Sequence, residues 1–107
     1  MTSALPDEVT TADRVALAVV SVPGVAELHP GRYGEVATHL PGRRVRGIQL
    51  RSDRVEVHVA LHWGADVLAT ADEVRAAAMR VADRPVDVTV EDVFAPGAGG
   101  GNEMSPR

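Results

Sequence analysis

Cysteine and lysine are both missing from this chain of 107 residues. Without cysteine there is no disulfide framework, no thiolate metal site and no cysteine nucleophile. All eleven basic residues are arginine. Arginine forks suit phosphates and carboxylates, but arginine-rich codon usage fits the Ala-, Val- and Gly-rich chain equally well and is the simpler account. No apolar run reaches the roughly 18–20 residues that span a bilayer. The stretch Met1 to Glu8 lacks the basic and apolar regions of a secretory signal. The chain is therefore expected in the cytoplasm. Serine is sparse, at Ser3, Ser21, Ser52 and Ser105, and none sits in a nucleophile-elbow pattern. A net charge of -4 gives little positive field for nucleic acid or anionic lipid.

What remains is ordinary globular composition, 45% hydrophobic and 24% charged, in a length that suits one domain. The strongest signal is Val45 to Trp63, two alternating runs parted by Ser52-Asp53. In the second run Val55, Val57, Val59, Leu61 and Trp63 share one face, and Glu56, His58, Ala60 and His62 the other. That period of two predicts a strand with one face buried and one wet. The first run is weaker, loosened by Gly47, and the pair predicts an antiparallel hairpin.

Thr10 and Asp13 form a capping-box pattern before an apolar stripe of Val15, Ala18, Val19 and Val22. The spacing predicts a helix to about Val22, ended by Pro23-Gly24. From Val25 to Gly42 the chain is irregular, with one or two helical turns expected over Glu35 to Leu40. A second helix follows Asp66 or, in a competing start, Thr70, with Val67, Ala71, Val74, Ala78 and Val81 on its apolar stripe. Asp83-Arg84-Pro85 stops it, and Val86, Val88 and Val90 alternate as a last strand. The order is helix-strand-strand-helix-strand. It predicts a two-layer α+β sandwich, a three-stranded mixed sheet with two helices on one face, and with the last strand beside the first strand of the hairpin. Residues 1–9 are expected to be a flexible arm, 10–95 a single domain, and 96–107 a disordered tail.

The other sheet face is expected to be polar and uncovered, and Glu56, His58, His62, Asp87 and Glu91 are its candidate interaction residues. They do not form a metal site: four residues along a strand part His58 from His62 by roughly 13 Å. His29 and His39 lie in the irregular segment without acidic partners at ligand spacing. No nucleophile-base pair is assembled, so no enzyme is expected, and nothing in these motifs calls for a cofactor or a metal. A separate motif, Gly31-Arg32-Tyr33-Gly34, resembles the GxxG loop of KH-type RNA-binding domains, where nucleotide backbone approaches closely. It makes nucleic acid the alternative partner.

Four segments in fixed order are similar to the alkaline shock protein family, the envelope stress response proteins of Gram-positive bacteria. They are the first helix running into Val22-Pro23-Gly24-Val25, the hairpin ending in Trp63-Gly64-Ala65-Asp66, the Ala-rich helix, and Pro85 to Val93. The likeness spans about Thr11 to Val93, and the arginine-only, alanine-rich composition suggests a short actinobacterial member. Ala4 to Val9 does not match the strand with which that family usually opens. The resemblance implies a non-enzymatic cytoplasmic protein that associates with itself or a paralogue. It further implies peripheral attachment to the membrane through a small membrane-anchored partner, with no direct insertion.

Overall fold

The computed structural model describes residues 10–95. The expected arm over 1–9 and tail over 96–107 lie outside the described residues. The first element is helix α1, Thr11–Val20. Its N-terminus is closed reciprocally: Asp13 N–H donates to Thr10 Oγ1 at 3.2 Å and Thr10 N–H donates to Asp13 Oδ2 at 2.9 Å. Such a box satisfies two backbone donors that a helix start leaves orphaned. The helix stops at Val20, two residues before the expected end. Pro23 pushes Val22 out of the helical region, and Gly24 turns the chain at φ +99°.

Six strands and a second helix follow: β1 Val25–Leu28, β2 Ala37–Leu40, β3 Arg43–Arg46, β4 Ile48–Leu50, β5 Val55–His62, α2 Val67–Met79 and β6 Val86–Phe94. The fold is α+β with two helices and mostly antiparallel pairing. β5 is its axis. One edge of β5 is shared end to end by two short antiparallel strands, β1 against Val59 to Leu61 and β4 against Val55 to Val57. His58 marks their junction: its carbonyl accepts from His29 N–H at 2.8 Å, and its own N–H donates to the Gly47 carbonyl at 2.9 Å. The other edge of β5 pairs in parallel with β6. Four strands thus make a sheet three strands wide.

Several expectations are corrected. The last strand lies beside the second strand of the hairpin, not the first. β4 offers only three residues, whereas the eight of β5 match the nine of β6. The run Val45 to Leu50 is not one strand. Gly47, at φ +81°, breaks it, so that β3 turns to β2 and only β4 meets β5. Glu35 to Leu40 forms no helical turn; Ala37–Leu40 is extended and pairs with β3. β1 was not foreseen, being four residues with no clear alternation.

Both helices and the odd-numbered face of β5 build one core. Val55, Val57, Val59 and Leu61 are fully buried against Ala12, Val15 and Val19 of α1 and Val74, Ala77 and Ala78 of α2. Each such valine or leucine contributes on the order of 1.5–3 kcal/mol by leaving water. On α2 the buried stripe is Thr70, Val74, Ala77 and Ala78. Val67 and Val81, expected on it, are exposed. Asp66 is the N-cap, accepting from Ala69 N–H at 3.0 Å, so Val67 sits on the rim of the first turn; Val81 lies beyond the helix. Trp63 was expected on the buried face and is 64% exposed, because β5 ends at His62.

Candidate interaction surface

Opposite the helices the sheet presents three rows of side chains. The first pairs Glu56 of β5 with Asp87 of β6. Arg54, just ahead of β5, bridges them, its guanidinium 3.0 Å from Glu56 Oε2 and 3.2 Å from Asp87 Oδ2. Arg51 Nε adds a bond to Glu56 at 2.8 Å. Arg51 first and Arg54 second hold the Glu56 carboxyl below the usual carboxylate range, by donating to its charged form. The structure thus brings Glu56 and Asp87 together, but as one ion network rather than as free acids.

In the next row His58 Nδ1 lies 2.6 Å from Glu91 Oε2. A carboxylate only accepts, so the imidazole Nδ1–H donates. Both side chains are largely covered, 16% and 21% exposed. Ala60 is fully buried although it points to the same side. The face expected to be wet and uncovered is therefore half-buried along β5. The β5–β6 register shifts at this point, between Val59 and Ala60.

Further along the sheet Glu27 of β1 pairs with Ala60, and Ala60 with Asp92 of β6. Both carboxylates are exposed. Asp92 Oδ1 accepts from its neighbour Val93 N–H at 2.8 Å, and Glu27 has no bonded partner among the described residues. His62 is exposed at the end of the row, opposite Phe94, away from the His58–Glu91 pair. Among the described residues no three His, Cys, Asp or Glu gather as metal ligands.

The Gly31-Arg32-Tyr33-Gly34 loop lies between β1 and β2. Gly31 and Gly34 both take positive φ, +87° and +76°. A Cβ on Gly31 would come within 2.9 Å of Val36 Cγ2, so the packing requires glycine there. The loop is closed internally: Gly34 N–H donates to the Gly31 carbonyl and Gly31 N–H to His29 Nδ1. Tyr33 N–H donates to Glu35 Oε1 at 3.2 Å. Arg32 and Tyr33 point outward, but a carboxylate already holds the N–H that an incoming phosphate would need.

Two further surfaces lie outside these residues. One is the open edge of β6, which pairs only with β5 among the described residues. The other is the β2–β3 hairpin. Its register places His39 opposite Arg44 and Ala37 opposite Arg46 on one face, with Thr38, Val45, Leu40 and Arg43 on the other. Val45 is buried, Thr38 Oγ1 donates to the Ile48 carbonyl at 2.6 Å, and Arg43 grips Asp13 of α1 with two bonds of 2.8 and 2.9 Å. On the opposite face His39, Arg44 and Arg46 are exposed, while Ala37 is buried. The run Arg43-Arg44-Val45-Arg46 carried that signal in plain view. No family model, curated protein or solved structure matches the chain.

Proposed function

We propose that this is a non-enzymatic interaction protein of the cell-envelope stress response type, which associates with itself or with a membrane-anchored partner in the cytoplasm. The observation that carries the association is the edge of β6. Among the described residues it is the longest strand, and nothing pairs with its outer side. Unpaired strand edges recruit another strand through backbone hydrogen bonds. The envelope role and the cytoplasmic site rest on the family resemblance; consistent with them, no helix among the described residues is long and apolar enough to cross a membrane.

The polar rows support a docking reading over a catalytic one. Glu56 and Asp87 are neutralised by Arg51 and Arg54, and His58 is committed to Glu91. A general base needs a free pair of electrons aimed into a cleft. Glu35, bonded to Tyr33 N–H, favours the edge reading over RNA binding at the glycine loop.

The test is sedimentation equilibrium over a wide concentration range, with Thr89→Lys as the probe. Thr89 is exposed at the middle of β6, and an edge lysine opposes strand addition. Wild-type protein should associate, and Thr89→Lys should weaken this about tenfold, or 1.4 kcal/mol, with an unchanged circular dichroism spectrum. A monomeric wild type that also captures no membrane protein on crosslinking in cells would sink the reading.

A further inference from the structure

The charges of this protein are segregated along the chain and in space. Residues 30–46, the excursion between β1 and β4, hold Arg32, Arg43, Arg44 and Arg46 against the single acid Glu35. The rest of residues 10–95 holds six arginines against eleven carboxylates. An acidic body thus carries one basic projection.

Within that projection Arg43 is spent on Asp13. Arg44 and Arg46 are exposed and bonded to nothing among the described residues, as is His39 across the hairpin. Arg44 and Arg46 are two residues apart on one strand, so their stems rise from the same face about 7 Å apart. Three basic side chains therefore stand together with no counter-charge bonded to them among the described residues. Elsewhere on the surface the arginines of the sheet are paired: Arg51 and Arg54 with Glu56, Arg54 with Asp53 and Asp87, Arg84 with Asp83.

We infer that the His39–Arg44–Arg46 face of the β2–β3 hairpin docks onto the Glu27–Asp92 row of a second copy of this chain. The inference deepens the proposed self-association and rests on it. Charge complementarity selects the occupant. The Glu27–Asp92 row is the acidic counterpart on the same molecule: two exposed carboxylates flank the fully buried Ala60, and neither has an arginine partner among the described residues. Across the sheet they stand about 10 Å apart, two strand spacings, within reach of two arginines rising about 7 Å apart on flexible stems. A polyanion is the poorer occupant, because the surplus of acids on the body repels it at the range where steering acts. Opposite potentials between copies instead draw them together and fix their orientation.

Charge exchange between two variants tests this in sedimentation experiments at low and high salt. One variant carries Arg44→Glu with Arg46→Glu; the other carries Glu27→Arg with Asp92→Arg. Each alone should associate at least about tenfold more weakly than wild type, and the wild-type association should weaken with salt. The equimolar mixture should regain wild-type strength, because each variant then meets an opposite charge on its partner. Circular dichroism of each variant controls for folding. Hairpin variants that associate as tightly as wild type, or a mixture that fails to recover, would overturn the contact. If Thr89→Lys dissolves the association while the hairpin variants do not, the strand-edge reading survives and the hairpin contact is lost. An oligouridylate bound by wild type but not by the Arg44→Glu, Arg46→Glu variant, without self-association, reassigns this face to nucleic acid and overturns the inference.

Discussion

The sheet around β5 and the excursion over residues 30–46 are both built on strand pairing, yet they are held by different forces. Along β5 the side chains toward the helices are fully buried: Val55, Val57, Val59 and Leu61. In β3 one residue of four, Val45, is buried. The excursion is fastened by polar links instead: Gly47 N–H to the Val36 carbonyl, Thr38 Oγ1 to the Ile48 carbonyl, and the Arg43–Asp13 fork. Apolar burial holds the first region in place, and around it Glu56, Asp87 and Glu91 pair locally. The second region is anchored at its base and at one arginine, which leaves its outer face free for another molecule.

The comparison breaks first if burial does not dominate β5. Leu61→Ala should cost about 3 kcal/mol in urea unfolding, the usual loss for a fully buried leucine. The next effect belongs to the junction of the two regions. Gly47 has φ +81°, and a Cβ there would lie 2.8 Å from Leu28 Cβ and 3.0 Å from both His29 N and the His58 carbonyl oxygen. Two of those neighbours are backbone and cannot swing away. Gly47→Ala should therefore cost about 2–3 kcal/mol. Gly42, at the hairpin tip, has φ +76° but nothing within 4 Å. Its alanine variant should lose only about 1 kcal/mol, the left-handed penalty alone. Equal losses at the two glycines would mean that the excursion is packed as tightly as the sheet.

The same contrast explains what the sequence made legible. β5 announces itself because one buried and one polar face impose a period of two, and α1 because Thr10 and Asp13 cap a regular apolar stripe. β1 and β2 are four residues each, too short for a period to stand out. Gly47 sits inside what looks like a continuous run, and only its positive φ and crowding by Leu28 show that the chain changes partner there. The choice of β5 rather than β4 as neighbour of β6 is a long-range matter of strand length. On the candidate face, parity placed Glu56, His58, Asp87 and Glu91 on one side. The neutralisation of Glu56 and Asp87 depends on Arg51 and Arg54 folding back, which spacing alone does not reveal. His62 shares the parity but ends up outside the network.

A pH titration sharpens the comparison at the excursion's one ionic tether. The Arg43 fork is the largest influence on Asp13, and with the Thr10 N–H bond it holds the carboxyl far below the ordinary carboxylate range. The folded form therefore binds fewer protons than the unfolded chain, whose aspartates titrate near 3.9. The stabilisation is complete above that value and is lost as pH falls through the depressed folded one. Glu56 is shifted in the same direction by Arg51 and Arg54, so the acid limb of wild type contains both. Arg43→Ala should flatten only the Asp13 share, leaving some slope because Thr10 still donates. Urea midpoints from neutral pH down to about pH 2 measure it. An unchanged slope would show that the fork does not hold the hairpin to α1 in solution.

The smallest expected effect lies on the hairpin's outer face. Arg44 and Arg46 are exposed and have no bonded partner among the described residues, so folding should not depend on them. Arg44→Ala and Arg46→Ala should each leave unfolding stability within about 0.5 kcal/mol of wild type. That near-silence is informative when set beside Arg54→Ala, which removes the bridge between Glu56 and Asp87 and leaves half-buried Glu56 with Arg51 alone. Measured by urea unfolding at high dilution, where copies are apart, the ranking should place Arg54→Ala below both hairpin variants in stability. If Arg44→Ala proved the more damaging, its guanidinium would be spent inside the fold, and a cation spent inside the fold is not available to a second copy.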